Sequence, residues 1–254
     1  NEKNGNLERD TMSRMTVTTR PLKELVTAKQ CNQKCVFCNL RPSSAHIVEE
    51  PDKIRSLLRE WKRIGIQDIQ FGGREATLRP ELKEHISFAR KCGFKTLRLA
   101  TNGTQISSKA RAAEIKDAGA DDVLISLHAN DPKMSETLTG TSGDFPKTLK
   151  AIEYFAEIDV PIYLSFVINK INYKCLPEYG DFIARTFGPE KITQILFSFV
   201  TPFFRAWRNK ESVVPSVAEI KPFLCEFLEN NKRARLNVSI PDYCGIPMCS
   251  LPQH

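Results

Sequence analysis

Residues 31–38 read Cys31-Asn32-Gln33-Lys34-Cys35-Val36-Phe37-Cys38 and contain three of the eight cysteines of this 254-residue chain. Thiolate sulfur is a soft ligand that suits zinc and iron–sulfur clusters. Structural zinc takes four ligands, whereas only three cysteines are close together here. Three ligands on a cube-shaped iron–sulfur cluster leave one iron open to bind and activate a small molecule. The spacing therefore favours a catalytic iron–sulfur site.

The composition is that of a globular chain with 41% hydrophobic and 26% charged residues. The formal net charge of +7 favours acidic partners, but a solvated surface with surplus lysine explains it equally well. No apolar stretch is long enough to span a membrane, and residues 1–14 lack the apolar core of a signal peptide. We expect a soluble, cytoplasmic protein with no membrane partner, in which clustered cysteines indicate metal or catalysis rather than disulfides.

Short apolar runs alternate with longer amphipathic stretches, which is typical of an α/β fold with a parallel sheet. Six runs are predicted strands, at 22–28, 68–71, 96–100, 122–127, 161–168 and 192–199. Six stretches are predicted helices, at 52–64, 81–91, 108–118, 145–158, 177–186 and 217–230. A last apolar run at 236–240 could add a strand. Six such units with right-handed crossovers predict a partial (β/α)6 TIM-like barrel, open on one side.

The chain divides by these patterns into three parts. Residues 1–16 are expected to be a flexible segment, 17–232 the partial barrel, and 233–254 a short C-terminal extension that could be a lid or carry a second cluster. Parallel sheets place their chemistry at the carboxyl ends of the strands. Polar clusters follow the predicted strands, so we expect one rim to gather 31–38, 72–75, 101–103, 126–130, Asn169 and Arg205.

The cysteine spacing Cys-x-x-x-Cys-x-x-Cys, with an aromatic residue before the third cysteine, resembles the signature of the radical S-adenosylmethionine (SAM) superfamily. Three further segments resemble those of the same family in the same order, at 71–82, 99–103 and 125–140. The resemblance covers residues from about 22 to about 200. It implies a 4Fe–4S cluster held by Cys31, Cys35 and Cys38, with SAM on the open iron. It also implies reductive cleavage of SAM to a 5′-deoxyadenosyl radical that abstracts hydrogen from an organic substrate.

The resemblance implies SAM contacts at the ends of the second and third strands. Glu75 would hydrogen-bond the SAM ammonium group, next to Gly73, as a charge-assisted contact. Arg74 departs from the family pattern, because it adds bulk and charge where a second glycine normally lets the backbone approach SAM. Thr101 or Asn102 would lie near the SAM carboxylate.

Later strands carry the other implied contacts. Ser126 would bind the SAM carboxylate, and Asn169 would reach the ribose hydroxyl groups. The adenine would lie between Phe37 and Val200. His128 could face the substrate, although a single histidine after a strand is more often a structural hydrogen-bonding residue.

The aromatic and basic segment 203–208 follows the sixth predicted strand, at the open side of the barrel. We expect Arg205 to contact an anionic group of the substrate, and an ordinary surface arginine is the alternative. The substrate could be a peptide, a nucleotide or another small metabolite. An electron donor such as flavodoxin or ferredoxin is an expected partner, and nucleic acid is not.

Cys244 and Cys249 lie in a tail rich in glycine and proline. They could ligate an auxiliary iron–sulfur cluster of the kind found in SPASM or twitch extensions, with Cys225 as a third ligand, or they could be free thiols. Cys92 and Cys175 are interpreted as structural. Two alternatives remain for the whole chain: a zinc- or nucleic-acid-binding module, and a passive electron-transfer iron–sulfur protein.

Overall fold

The computed structural model describes residues 22–41 and 50–240. Within these residues, seven strands form one parallel sheet in which the spatial order follows the chain order. Because consecutive strands pair in parallel, the chain must cross back over the sheet after each strand, and helices supply most of these connections. The strands are β1 (Lys23–Val26), β2 (Asp68–Gly72), β3 (Thr96–Thr101), β4 (Asp122–Ser126), β5 (Ile162–Ile168), β6 (Gln194–Phe199) and β7 (Val238–Ser239).

Nine α-helices lie within the part of the chain that the structure describes. They are α1 (Pro51–Arg63), α2 (Leu82–Lys91), α3 (Lys109–Asp117), α4 (Pro132–Thr139), α5 (Asp144–Glu157), α6 (Leu176–Phe187), α7 (Phe204–Arg208), α8 (Lys210–Val213) and α9 (Val217–Ala234). Several begin at residues suited to capping. The side chain of Ser108 accepts from an amide of α3, and Ser216 and Glu219 form a capping box at α9.

The parallel α/β architecture predicted from the sequence is confirmed. The six predicted strands form, and the apolar run at 236–240 adds the short strand β7, which pairs with β6. Among the described strands the sheet does not close, because β1 and β7 are its two edges. α9 ends at Ala234 rather than near residue 230, and β7 follows it at Val238–Ser239.

Helix α4 was not predicted, although its signals are in the sequence. Asp131 caps its first turn, Pro132 occupies the first turn, and Gly140 follows its last residue in the left-handed conformation with φ of 64°. The helix has only eight residues, which is too short for a clear apolar period. The two short helices α7 and α8 were also missed for this reason.

Alternation along the strands separates the core from the barrel interior. In β5, Ile162, Leu164 and Phe166 are fully buried, whereas Tyr163 and Ser165 between them are only partly buried. Burying each large apolar side chain contributes about 1.5–3 kcal/mol. The fully buried rows pack under the helices, so the partly buried rows are left facing the open interior.

An aromatic cluster fixes the helices behind β4, β5 and β6. Tyr179 on α6 lies edge-on to Phe166 with ring centroids 4.5 Å apart, and Phe197 is 4.9 Å from Phe227 on α9. The hydroxyl of Tyr179 donates to the carbonyl of Leu127 at 2.8 Å. Burial raises the pKa of Tyr179 well above its usual value, so the hydroxyl stays a donor. This bond holds the chain just past the end of β4.

Candidate active site at the carboxyl ends of the strands

The three clustered cysteines lie in the loop after β1, where all three are free thiols. They line one cavity of about 460 Å³, a size within the usual range for small-molecule sites. The cavity also collects residues from the ends of β2, β3, β4, β5 and β6, as expected for a parallel sheet. Its other lining residues include Glu24, Gln33, Phe37, Gly73, Arg74, Glu75, Thr101, Asn102, Ser126, His128, Val167, Ser198, Phe199, Thr201 and Arg205.

The thiols do not form a site for one metal ion. Within residues 22–41 and 50–240, no group of three or more His, Cys, Asp or Glu side chains is arranged to hold a single ion. Zinc would need its sulfur ligands about 2.3 Å from one centre. The ligands of a polynuclear cluster bind different iron atoms, so they need not meet at one centre.

One side of the cysteine loop is bonded to helix α4. The amides of Lys34 and Val36 donate to the carbonyls of Thr139 at 2.7 Å and Leu138 at 2.9 Å. These carbonyls belong to the last turn of α4, where no helical partner is available. Gly140 lies against this contact, since an added Cβ there would be 3.3 Å from the carbonyl oxygen of Lys34.

Side-chain amides extend the same attachment to the end of β3. Asn32 donates to Thr104 at 2.6 Å and accepts from Asn102 at 2.8 Å. Gln33 donates to Asp144 at 3.3 Å. Asn102 and Thr104 are buried, so these polar contacts are shielded from water.

The opposite side of the loop is bonded to residues 201–213, which we call the cover segment. The amide of Ala206 donates to the carbonyl of Cys38 at 3.1 Å, and the side chain of Asn209 donates to the carbonyl of Val36 at 2.8 Å. Arg205 donates to the carbonyl of Cys35 at 3.4 Å. The sequence analysis did not predict Asn209. No sequence motif marks this residue, and only the fold brings it to the loop.

Burial is the largest influence on the pKa values of two loop thiols, Cys35 and Cys31. It raises the pKa of Cys35 to about 12, and the neighbouring Cys31 and Cys38 thiols add to this effect. Burial also raises the pKa of Cys31. The guanidinium of Arg205 opposes the shift at Cys35, and that of Arg74 opposes it at Cys31. Metal binding at this loop would therefore release protons.

Glu75 is a buried carboxylate whose donors are all uncharged. It is 1% exposed. Its Oε1 accepts from the hydroxyl of Thr101 at 2.6 Å and from both the amide and the hydroxyl of Thr77, and its Oε2 accepts from the amide of Asn102 at 2.8 Å. A carboxylate has about four acceptor positions, so Oε2 can still accept a bond from a ligand in the cavity.

The turn before Glu75 requires glycine at residue 73. Gly73 has φ of 95°, and an added Cβ would lie 2.5 Å from a methyl carbon of Val26. Its amide donates to Glu24 at 3.0 Å. Arg74 does not disrupt this turn, because its guanidinium reaches out to the carbonyl of Arg41 at 2.9 Å.

His128 and Phe37 form a ring pair at the cavity wall, with centroids 5.0 Å apart and planes at 90°. The Nδ1 of His128 accepts from the amide of Val167 at 3.1 Å. Burial lowers the pKa of His128 to about 4. The imidazole is therefore neutral at physiological pH, with its proton on Nε2.

Asn169 and Val200 are not part of the cavity wall. Asn169 is fully buried, and its side chain donates to the carbonyl of Val167 at 3.0 Å and accepts from the amide of Ile171 at 2.9 Å. Val200 is 4% exposed, and its amide donates to Ile168 at 3.0 Å. Both residues shape the turns after β5 and β6, whereas Val167, Ser198 and Phe199 reach the cavity.

The remaining cysteines lie elsewhere. Cys244 and Cys249 lie outside the described residues. Cys225 is partly buried on α9, Cys175 is buried, and Cys92 is partly buried after α2. A larger hollow of about 660 Å³ lies over the outer faces of α1, α2 and α3, but it contains no cysteine and faces away from the strand ends.

None of the helices within residues 22–41 and 50–240 combines the length and apolar character needed to cross a lipid bilayer.

Comparison with known proteins identifies the class: residues 25–183 match the family model of the Radical SAM superfamily. The match covers more than half of the chain, and the chain belongs to this superfamily of iron–sulfur enzymes. Members use a 4Fe–4S cluster and SAM, so the zinc-binding and passive electron-transfer alternatives no longer apply.

Two curated relatives are similar over part of their length. A probable GTP 3′,8-cyclase of Sulfolobus acidocaldarius is 32% identical over 154 residues, which are 60% of this chain and 48% of the relative. The PqqA peptide cyclase of Rhodopseudomonas palustris is 26% identical over 224 residues, 84% of this chain and 57% of the relative. The chain thus spans about half the length of these proteins.

A solved structure shares the fold. SuiB of Streptococcus suis with bound SAM has a TM-score of 0.68 at 19% identity, covering 87% of this chain and 50% of that chain. The same protein has been solved with its precursor peptide SuiA.

Proposed function

We propose that this chain is the catalytic part of a radical SAM enzyme that acts on a peptide, with Cys31, Cys35 and Cys38 as the cluster ligands. When bound and reduced, the cluster and SAM supply a 5′-deoxyadenosyl radical for hydrogen abstraction. The cavity shared by the three thiols and Glu75 carries the proposal. It brings soft sulfur ligands and a buried carboxylate together on one wall.

The chain's own residues would bind the ammonium and carboxylate groups of the methionine part of SAM. The free acceptor position of Glu75 Oε2 suits the ammonium group, since a cation would compensate the buried charge. Thr101 and Asn102 act through Glu75, because the Thr101 hydroxyl and the Asn102 amide donate their hydrogen bonds to its carboxylate. The hydroxyl of Ser126, at the end of β4 in the cavity wall, would bind the carboxylate of SAM.

Apolar side chains would enclose the adenosine part and exclude water from the radical. Phe37, Val167 and Phe199 line the cavity, whereas Asn169 and Val200 would support this wall through the turns they form. A neutral His128 would present an Nε2–H donor to a ligand without adding charge.

The charge of the cavity favours a peptide over a nucleoside triphosphate. Among the described residues, its acidic and basic lining side chains are those of Glu24 and Glu75 and of Arg74 and Arg205. A triphosphate carries several negative charges and needs a clear surplus of cations. A peptide larger than the cavity would enter between the sheet edges β1 and β7. Arg205 could contact one anionic group of such a substrate.

A nucleotide is the second candidate, because of the similarity to a probable GTP 3′,8-cyclase. One assay tests both the nucleotide and the peptide candidate. The reconstituted protein would be given SAM and dithionite with either deuterated GTP or ribosomal peptides containing deuterated side chains. We expect deuterium in 5′-deoxyadenosine only with a peptide. Transfer from deuterated GTP would reject the peptide proposal.

The assignment of the cluster ligands has its own test. Anaerobic reconstitution should give a brown protein with about four irons, a 4Fe–4S signal in electron paramagnetic resonance (EPR) spectra, and cleavage of SAM. A Cys35→Ala variant should lose the cluster and the cleavage, and a Cys92→Ala variant should retain both. A cluster that survives loss of Cys35 would contradict the assignment.

A further inference from the structure

The outer side of the cover segment is an exposed aromatic surface. Phe203 is 59% exposed and Trp207 56%, with Phe204 at 39% and the adjoining Leu40 at 37%. The rings of Phe203 and Phe204 are 6.4 Å apart. Single exposed apolar residues are ordinary, but a contiguous group of large ones indicates an interaction site.

One of these exposed rings is on a residue with a strained backbone. Phe204 has φ of 51°, a conformation that is a genuine outlier for a bulky residue. Such conformations persist where the surrounding structure holds them, and they are concentrated at functional sites. Here Ala206 within α7 and Asn209 directly after it bond to the cysteine loop and hold the chain that follows Phe204.

Positive charge surrounds the aromatic residues. Arg205, Arg208 and Lys210 are exposed on the segment, and Lys210 lies 4.2 Å from the ring centroid of Trp207. Glu211 is the acidic residue among 201–213. A surface with this excess complements an acidic partner and would accelerate its association.

The inner side of the same segment touches the cysteine loop directly. It bonds to the carbonyls of Cys35, Val36 and Cys38. A partner docked on the outer side would therefore be separated from the cluster ligands by one short helix. Electron transfer slows steeply with distance, so this is a favourable place for a reductant to bind.

We propose that the exposed face formed by Leu40, Phe203, Phe204, Trp207, Arg208 and Lys210 is the docking surface for an acidic electron-carrier protein. The carrier would lose one electron and the cluster would gain it, with no bond formed or broken. The proposal rests on the radical SAM class and not on the peptide substrate.

Charge reversal tests the proposal with reduced flavodoxin, an acidic flavoprotein, as the probe. The Arg208→Glu/Lys210→Glu variant of the full chain should bind flavodoxin at least about tenfold more weakly at low salt. Reduction of its cluster by flavodoxin, followed by stopped-flow absorbance without substrate, should slow to a similar degree. A Lys83→Glu/Lys91→Glu variant on α2 has the same change in net charge and should behave like the parent chain.

Dithionite provides the second control, because a small reductant needs no docking surface. All variants should be reduced by dithionite at the parent rate, and a Phe203→Ser/Trp207→Ser variant should also lose flavodoxin affinity. Equal losses in the α2 variant, or slower reduction by dithionite, would overturn the proposal. So would a change from dimer to monomer with unchanged flavodoxin affinity, which would make the face a contact between copies.

Discussion

The cysteine loop is held on two sides that differ in their exposure to water. On one side of the loop, which we call its inner side, α4 and the end of β3 bond to it through buried groups such as Asn102 and Thr139. On the outer side, the cover segment bonds to loop carbonyls while presenting aromatic rings to solvent.

This difference separates positioning from access. A buried hydrogen bond that is broken leaves groups without a partner, whereas an exposed group can bond to water instead. The inner side therefore determines where the thiols and Glu75 lie. On the outer side the bond of Arg205 is exposed and that of Asn209 is only partly buried, whereas Ala206 is buried. The first two contacts can be exchanged for bonds to water at lower cost, which suits a surface that binds and releases a partner.

The largest effect is expected at the centre of the inner side. Glu75→Gln replaces a carboxylate oxygen by an amide that cannot accept from its present donors. We expect the free energy of unfolding to fall by about 1–3 kcal/mol for the broken bonds, with at least about tenfold weaker SAM binding. Urea denaturation and calorimetry would measure both. Glu84→Gln, at an exposed position on α2, should change neither.

A smaller effect is expected where α4 meets the loop. Gly140→Ala and Gly143→Ala both force a side chain into the left-handed region, at a cost of roughly 1–2 kcal/mol. Only at Gly140 would the new methyl group press on Lys34, because nothing lies within 4 Å at Gly143. We expect both variants to lose stability but only Gly140→Ala to lose iron during gel filtration. Equal iron retention would show that this contact does not position the loop.

The outer side should respond less to loss of a single bond. Asn209→Ala removes the donor to the carbonyl of Val36 and should lower stability by about 0.5–1.5 kcal/mol. We expect SAM affinity to stay within about twofold, because the inner side still positions the cavity. If isothermal calorimetry showed a loss as large as that of Glu75→Gln, the two sides would not differ as described.

The smallest effect at neutral pH concerns the two histidines with lowered pKa. Burial lowers the pKa of both His128 and His85 to about 4, against about 6.5 in an unfolded chain. The unfolded state binds more protons between these values, so their contribution to stability is present above about 6.5 and is lost as the pH falls towards 4.

Thermal melts between pH 8 and pH 4 would test this. Conversion of His128 to Gln should flatten the decline below pH 6.5 in part, because His85 on the helix side still titrates. An unchanged decline would show that His128 is not the titrating group.

Much of the site could be predicted from residue order. The cysteines, Glu75 and His128 follow predicted strands, and Ser126 lies at the end of one. All of them reach the cavity because parallel strands end on one rim. Asn169 follows a strand too, yet its amide closes a turn instead. A strand end alone does not say whether a side chain faces the interior or the backbone.

The sequence by itself determined the class of fold and the identity of the three close thiols, because hydrophobic period and cysteine spacing are local properties. Only the tertiary structure decided which residues hold the cysteine loop. Asp144 and Asn209 lie more than a hundred residues from the loop along the chain. Their contacts arise from the packing of separate helices, and no local sequence pattern predicts such long-range contacts.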